Sequence, residues 1–302
     1  ICAEDELGIS DDHAGIMVLP SDAIPGIPLS ELINSYQDSV IEIAITPNRP
    51  DATSHIGVAR DLSAKWGIPL TIPTVNIPEQ VASQGTNFTI SIEDPQKCSR
   101  YVGVVMKNIQ VSPSPAWLKN RLEAIGLRSI NNIVDVTNYV MYEWGQPLHA
   151  FDANNLKGSS IHVKSFVEPY DFTTLDGVTR KVPSGSLFIC DDEQAVAIAG
   201  IMGGENSEVS DSTTTIVLES AYFDPSTIRK CSKQLSLQTD ASYRFERGID
   251  SNIQLTAAIR AADLIKEMIP EALITETIDL HPTPKKSLEL SLRVSRVHQI
   301  LR

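Results

Sequence analysis

The sequence lacks any apolar run near the roughly 20 residues that a membrane-spanning helix requires. Nothing at its start has the form of a signal peptide, so a cytoplasmic protein with no membrane partner is expected. Cysteine is scarce: Cys2, Cys98, Cys190 and Cys231 lie far apart and form no CxxC. That spacing suits a reducing compartment and excludes a thiolate zinc site of the ordinary kind. The six histidines are equally scattered, and no metal is expected. GxGxxG and Gly-Lys-Ser/Thr are both missing, which argues against a dinucleotide or P-loop site. There is no G-x-S-x-G elbow, and no cysteine has a histidine close by in sequence, so no nucleophile-base pair is visible. Positive charge is also short, with 25 Lys and Arg against 38 Asp and Glu for a net charge of −13. Phosphate contacts come from Lys and Arg, so the chain as a whole does not read as a general nucleic-acid binder.

What is present is an ordinary globular composition, 42% hydrophobic and 21% charged over 302 residues, enough for two or three domains. Residues 1–80 have mixed texture. IMVLP and SVIEIAI alternate like strands, TPNRPD makes a rigid turn, and a helix follows with Thr53 or Ser54 as its cap. Ile56, Ala59, Leu62 and Trp66 share one face of that helix, and Gly67 closes it. HIGV within it has no nucleotide-binding sheet around it, so His55 is incidental. A linker rich in Pro, Ser, Gly and Asn spans 72–87.

A second domain, 86–282, opens with the strands NFTISIEDP and RYVGVVMKNIQV. Ser114 is placed to cap a helix with Pro115 at its first position, and Asp224 with Pro225 opens another. A long helix is expected near Ile253–Met268. The strand-like runs SIHVKSF, GSLFICDD, QAVAIAGIM and TTIVLESAYF outnumber the helices and do not alternate with them. The fold class is therefore α+β: a β-rich mixed-sheet core with peripheral helices, plus a smaller α+β scaffold domain over 1–80. Residues 283–302 read as the truncated start of a third domain. The first residue is not Met and the final periodic run has no cap, so a piece of a longer polypeptide is expected.

The chemistry-bearing residues gather around Ser129–Asp152. Ile133, Val136, Val140 and Trp144 recur at helical spacing until Gly145 and Pro147 break the run. Thr137 projects onto that apolar face, either bonding back to the Ile133 carbonyl or lining a pocket. His149 follows the break between Leu148 and Phe151, as a packed core residue or as a ring held beside a pocket. AGIMGG reads as a strand entering a tight turn where a ligand could approach the backbone closely. Glu219 sits in IVLESAYF, a run buried on both faces, so its carboxylate needs a partner such as Arg244 or drifts toward its neutral form. Arg229, Lys230, Lys233, Arg244 and Arg247 make a basic strip on the acidic body, either a solvated helix face or a guide for nucleic acid.

NIVDVTNYVMYEWGQPLHAFD, AIAGIMGGENSEV, VLESAYFDPSTIRK, LQTDASYRFERGID and ITPNRPDATSHIGVARDLSAKWG resemble, string by string, the β-subunit of bacterial phenylalanyl-tRNA synthetase, a class II aminoacyl-tRNA synthetase. The resemblance runs the length of the chain and centres on that family's editing module. It implies hydrolysis of tyrosine mischarged onto the phenylalanine tRNA. His149 would position water or the terminal ribose, and Glu219 would select tyrosine through its hydroxyl. Thr137, Ala199, Gly200, Gly203, Thr239 and Ala241 would shape the pocket. The implied partners are the phenylalanine tRNA and the α-subunit of a heterotetramer. Aminoacylation, with its ATP and magnesium, would lie on the α-subunit, leaving no cofactor here, and 1–80 would be the remainder of the tRNA-binding-like and scaffold domains. A non-catalytic scaffold holding tRNA and the α-subunit is the alternative. It has no need of a carboxylate buried in a strand beside a small-walled cavity.

Overall fold

The run around Glu219 becomes the strand that the rest of the molecule packs around. The structure, a computed structural model, describes residues 2–9, 13–32, 38–77, 87–284 and 289–301. In chain order these form α1 (Leu29–Leu32), α2 (His55–Trp66), β1 (Thr89–Ile92), β2 (Cys98–Lys107), α3 (Ala116–Ala124), α4 (Asn132–Trp144) and β3 (Leu148–Asp152). Next come β4 (Ser160–Ser165), β5 (Tyr170–Thr173), β6 (Thr179–Val182), β7 (Leu187–Cys190), β8 (Ala195–Ile198), β9 (Met202–Gly203) and β10 (Thr215–Phe223). The remainder is α5 (Pro225–Leu235), α6 (Asp240–Phe245), α7 (Gln254–Met268), β11 (Leu273–Leu280) and α8 (Val294–Leu301).

An antiparallel sheet runs β11-β2-β10-β3, and a second runs β1-β4-β7-β8-β9 with only β1 and β4 parallel. Alternation along the strands divides the side chains between two cores. Tyr101, Val105, Phe151, Val217 and Phe223 point toward the second sheet and meet Ile161, Val163, Phe188 and Ile198. Val102, Val104, Met106, Ile216 and Leu218 point the other way and pack with Leu118, Ile133, Val136, Val140 and Ala261 of the helices. β10, central and buried from Ile216 to Phe223, is covered on both faces, which explains its unbroken apolar run. The α+β class, β-rich core and peripheral helices match expectation.

Local chemistry explains the helix ends. Asn131 Oδ1 accepts from the amides of Ile133 and Val134 (3.0 and 2.9 Å) to start α4, and Gly145 closes it at φ +81°. Asp224 Oδ2 accepts from Thr227 N at 2.8 Å ahead of Pro225. Ser54, rather than Thr53, caps α2. Ser114 does not cap α3: its hydroxyl donates to Asp135 Oδ2 at 2.6 Å, and Pro115 holds the cap position without a side-chain bond. Residues 16–20 and 39–45 stay irregular, because no strand among the described residues offers them a ladder, and Val18 and Ile41 are exposed. On α2 only Ile56 of the expected face is buried, while Leu62 and Trp66 are open to solvent. Of the linker, 78–86 lies outside the described residues.

Candidate functional site

His149 and Glu219 are brought together by strand register. β3 pairs antiparallel with β10 so that His149 stands opposite Glu219, with Ser220 opposite Leu148. Directly opposed residues share a face with Cβ atoms about 5 Å apart. Here that face is the one turned toward the second sheet, shared with Phe151 and Val217. The break at Gly145–Pro147 delivers the chain from α4 into β3, and buried Gln146 pins the crossing by donating to the carbonyls of Pro147 (2.9 Å) and Ala221 (3.0 Å).

Glu219 is 7% exposed and accepts one hydrogen bond, from the Tyr101 hydroxyl at 2.7 Å. Burial pushes its carboxyl up to about 7, and the Tyr101 bond opposes that rise. Arg244 does not pair with it. That guanidinium lies 4.4 Å from the Tyr142 ring centroid and donates to the Asp240 carbonyl at 3.0 Å. The expected ion pair is therefore replaced by a phenol-carboxyl bond. His149 is half-buried with Nε2 sealed from water and unpartnered, and its ring meets Phe151 edge-on at 4.6 Å between centroids. Burial holds its imidazole down at about 4.

The glycine turn closes over this pair. At Gly203 an added Cβ would stand 2.7 Å from His149 Cε1, 2.8 Å from Nε2 and 3.1 Å from Leu175 Cδ1, so only glycine allows the imidazole this approach. Gly200 adopts φ +66° against Phe223, Ile228 and Phe245, a left-handed turn with no space for a side chain. Three amides of the segment are already bonded: Ala199 N to Leu187 O, Ile201 N to Ile198 O and Gly204 N to Val196 O. The Thr239 hydroxyl donates to Ile201 O at 2.9 Å and accepts from Ser242 N in a capping box, which ties α6 to the turn. Ala241 packs partly buried against the core between the sheets. Thr137 stands apart. It belongs to α4, on the other side of the four-stranded sheet, and its hydroxyl donates to Val134 O at 2.7 Å rather than to Ile133.

Local reading missed three features. Tyr101 lies 118 residues from Glu219 and meets it only through the pairing of β2 with β10. Leu175 comes from the β5-β6 hairpin tip, where its amide donates to Gly203 O at 3.0 Å. A hydroxyl and an imidazole on β1 and β4 of the second sheet also meet a carboxyl from the turn after β7. Ser91 Oγ is 2.7 Å from His162 Nδ1, and His162 Nε2 is 2.7 Å from Asp192 Oδ1. Ser91 and His162 are register partners on β1 and β4, 71 residues apart in sequence. The basic strip is divided: Arg229, Lys230 and Lys233 are exposed on α5, whereas Arg244 is buried and Arg247 folds over Tyr243 and onto Glu246. Clefts of about 340 and 360 Å³ lie at Phe172 and Glu205, and at Trp117 and Asn132, away from the His149–Glu219 pair.

Residues 97–270 match the family described as the B3/4 domain. The phenylalanine-tRNA ligase β subunit of Salinibacter ruber is 49% identical over all of this chain and 37% of its own length. That of Geobacter sulfurreducens is 48% identical over all of this chain and 38% of its own length. The chain thus spans 37–38% of the length of these relatives. A solved N-terminal fragment of the phenylalanyl-tRNA synthetase β subunit from Pyrococcus horikoshii has a TM-score of 0.41 and 12% identity, over 84% of this chain and 70% of that one.

Proposed function

The chain belongs to the B3/4 domain family, and from that membership and its likeness to phenylalanine-tRNA ligase β subunits we propose that it hydrolyses tyrosine wrongly esterified to the phenylalanine tRNA. The observation that carries this reading is the His149–Glu219 pair: a buried carboxyl with no cation on it, opposite an imidazole whose Nε2 has no partner. A scaffold gains nothing from either group, since an unpaired buried polar atom costs about 1–3 kcal/mol.

An aminoacyl ester is already activated, so orienting water is enough to start its hydrolysis. The water oxygen bonds to the ester carbonyl carbon, the bond to the ribose oxygen breaks, and a proton passes to that ribose oxygen. Free tyrosine and intact tRNA remain. Burial keeps His149 neutral at working pH, so Nε2, which water does not reach in this structure, serves as a hydrogen-bonding group for water or the terminal ribose once a substrate has entered. A base this weak positions a nucleophile instead of stripping it. Glu219 bonds the tyrosine hydroxyl, which phenylalanine lacks. Gly203 keeps the wall beside His149 free of side-chain bulk, Gly200 and Ala199 form the turn that leads into it, Thr239 and Ala241 hold α6 against that turn, and Thr137 stays outside it, behind the four-stranded sheet. The substrate-bearing partner is the phenylalanine tRNA, with Arg229, Lys230 and Lys233 as the exposed cations on this side. The α-subunit is the protein partner, and aminoacylation with ATP and magnesium takes place there. No described helix is long and apolar enough to cross a membrane, and the proposed work is cytoplasmic.

The test is incubation of the chain with tyrosine-charged and phenylalanine-charged phenylalanine tRNA, following release of each amino acid. Rapid release of tyrosine alone supports hydrolysis. Binding of both tRNAs without release supports the scaffold.

A further inference from the structure

Glu219 is held in an unusual way for a buried carboxyl, and the manner of holding has a consequence for recognition. Its cross-strand neighbour on β2 is Gly103, which brings no side chain to the contact. An added Cβ at Gly103 would run into Ile90 Cδ1, so the second sheet fills the space above it. Tyr101, two residues before Gly103 on the same face and itself 0% exposed, reaches diagonally past that gap to Glu219. Its hydroxyl donates to Oε2 at 2.7 Å. Among the described residues Oε1 has no hydrogen-bond partner, although Glu219 stays 7% exposed.

We infer that Tyr101 is a positioning residue for tyrosine recognition: its O–H holds Oε2 and leaves Oε1 as the acceptor presented to the substrate's phenol. This rests on the hydrolytic reading of the site and adds to it the group that aims the selecting carboxyl. A carboxyl on a flexible ethylene stem that is fixed through one oxygen has lost the freedom to turn its second oxygen away. The same contact favours the ionised form that accepts best from a phenol, working against the burial that favours the neutral form. The other titratable groups near the carboxyl are His149 on β3 and Cys98 on β2. Burial keeps the first uncharged at neutral pH and raises the second well above its usual range, so neither supplies a compensating charge. Tyr101, itself neutral, is the one group that donates a hydrogen bond to the carboxyl.

The experiment is Tyr101→Phe, which removes one oxygen and keeps the ring in the core, made in the whole chain beside Glu219→Ala. Two readouts are needed: the ratio of tyrosine to phenylalanine release from the charged tRNAs, and the pH at which Glu219 ionises, followed by carbon NMR of labelled glutamate. The expected result is a ratio lowered roughly 10-fold, the size of a hydrogen bond to a charged group, with ionisation moved to higher pH. An unchanged ratio in Tyr101→Phe while Glu219→Ala lowers it overturns the inference and leaves the hydrolytic reading standing. Ionisation unmoved by Tyr101→Phe overturns it as well, and that measurement needs no activity. If wild-type protein releases neither amino acid, the hydrolytic reading has failed, and the inference with it.

Discussion

Replacing Glu219 by glutamine is expected to make the fold sensitive to acid, although it removes an acid. In the folded chain burial moves Glu219 from 4.5 up to about 7 and His149 from 6.5 down to about 4. The Glu219 contribution to stability is therefore fully present below pH 4.5 and lost as pH rises to about 7. The His149 contribution is fully present above pH 6.5 and lost as pH falls to about 4. Between 4.5 and 6.5 the unfolded chain carries one proton on the imidazole, and the folded chain carries one on the carboxyl instead. The proton counts are equal, so the two slopes cancel. Glu219→Gln leaves only the histidine slope, about 1.4 kcal/mol per pH unit, or about 3 kcal/mol lost between pH 6.5 and 4.5. His149→Gln leaves the opposite slope, with stability falling as pH rises over the same interval. Urea unfolding of the three proteins at several pH values reads this directly, because groups common to all of them drop out of the differences. Three parallel stability curves would refute the account of both groups.

Gly203→Ala should destabilise the fold by about 1–3 kcal/mol as the new methyl meets the His149 ring and Leu175. Hydrolysis should fall by up to about 100-fold, since an ångström of misplacement at a reacting group has that effect; melting and tyrosine release check both. Ser91→Ala should leave tyrosine release unchanged, and a large loss in the same assay would move the chemistry to the Ser91–His162–Asp192 chain.

Local order was the readable part of this sequence. The 3.6-residue recurrence ending at Gly145 marked α4, Asp224 with Pro225 marked the start of α5, and the unbroken run around Glu219 marked a strand covered on both faces. These features depend on neighbours within a few residues. What depends on distant partners was not readable. IMVLP and SVIEIAI have strand composition, but a strand exists only where another offers it a ladder. β11 and the β5-β6 hairpin escaped notice because their faces are mixed and their pairing partners set them. At the candidate site, Glu219 and His149 could be named from sequence, yet what each touches could not. Arg244 was the nearest plausible cation, whereas the chain supplies a phenol from 118 residues away. Thr137 shares its helix face with apolar residues, and its i−3 carbonyl satisfies it locally.

The proposed reaction is removal of tyrosine from the phenylalanine tRNA, with Glu219 making the choice. An apolar pocket alone rejects neither amino acid strongly, whereas a site built to bond the extra hydroxyl discriminates by roughly 10⁴–10⁵. The most direct measurement is the ratio of tyrosine to phenylalanine release rates from the two charged tRNAs, in wild-type protein and in Glu219→Ala. The expected result is a large ratio in the wild type that falls steeply in the variant, with the melting transition kept. A ratio that the substitution leaves unchanged, or a wild-type chain that releases neither amino acid, would contradict it.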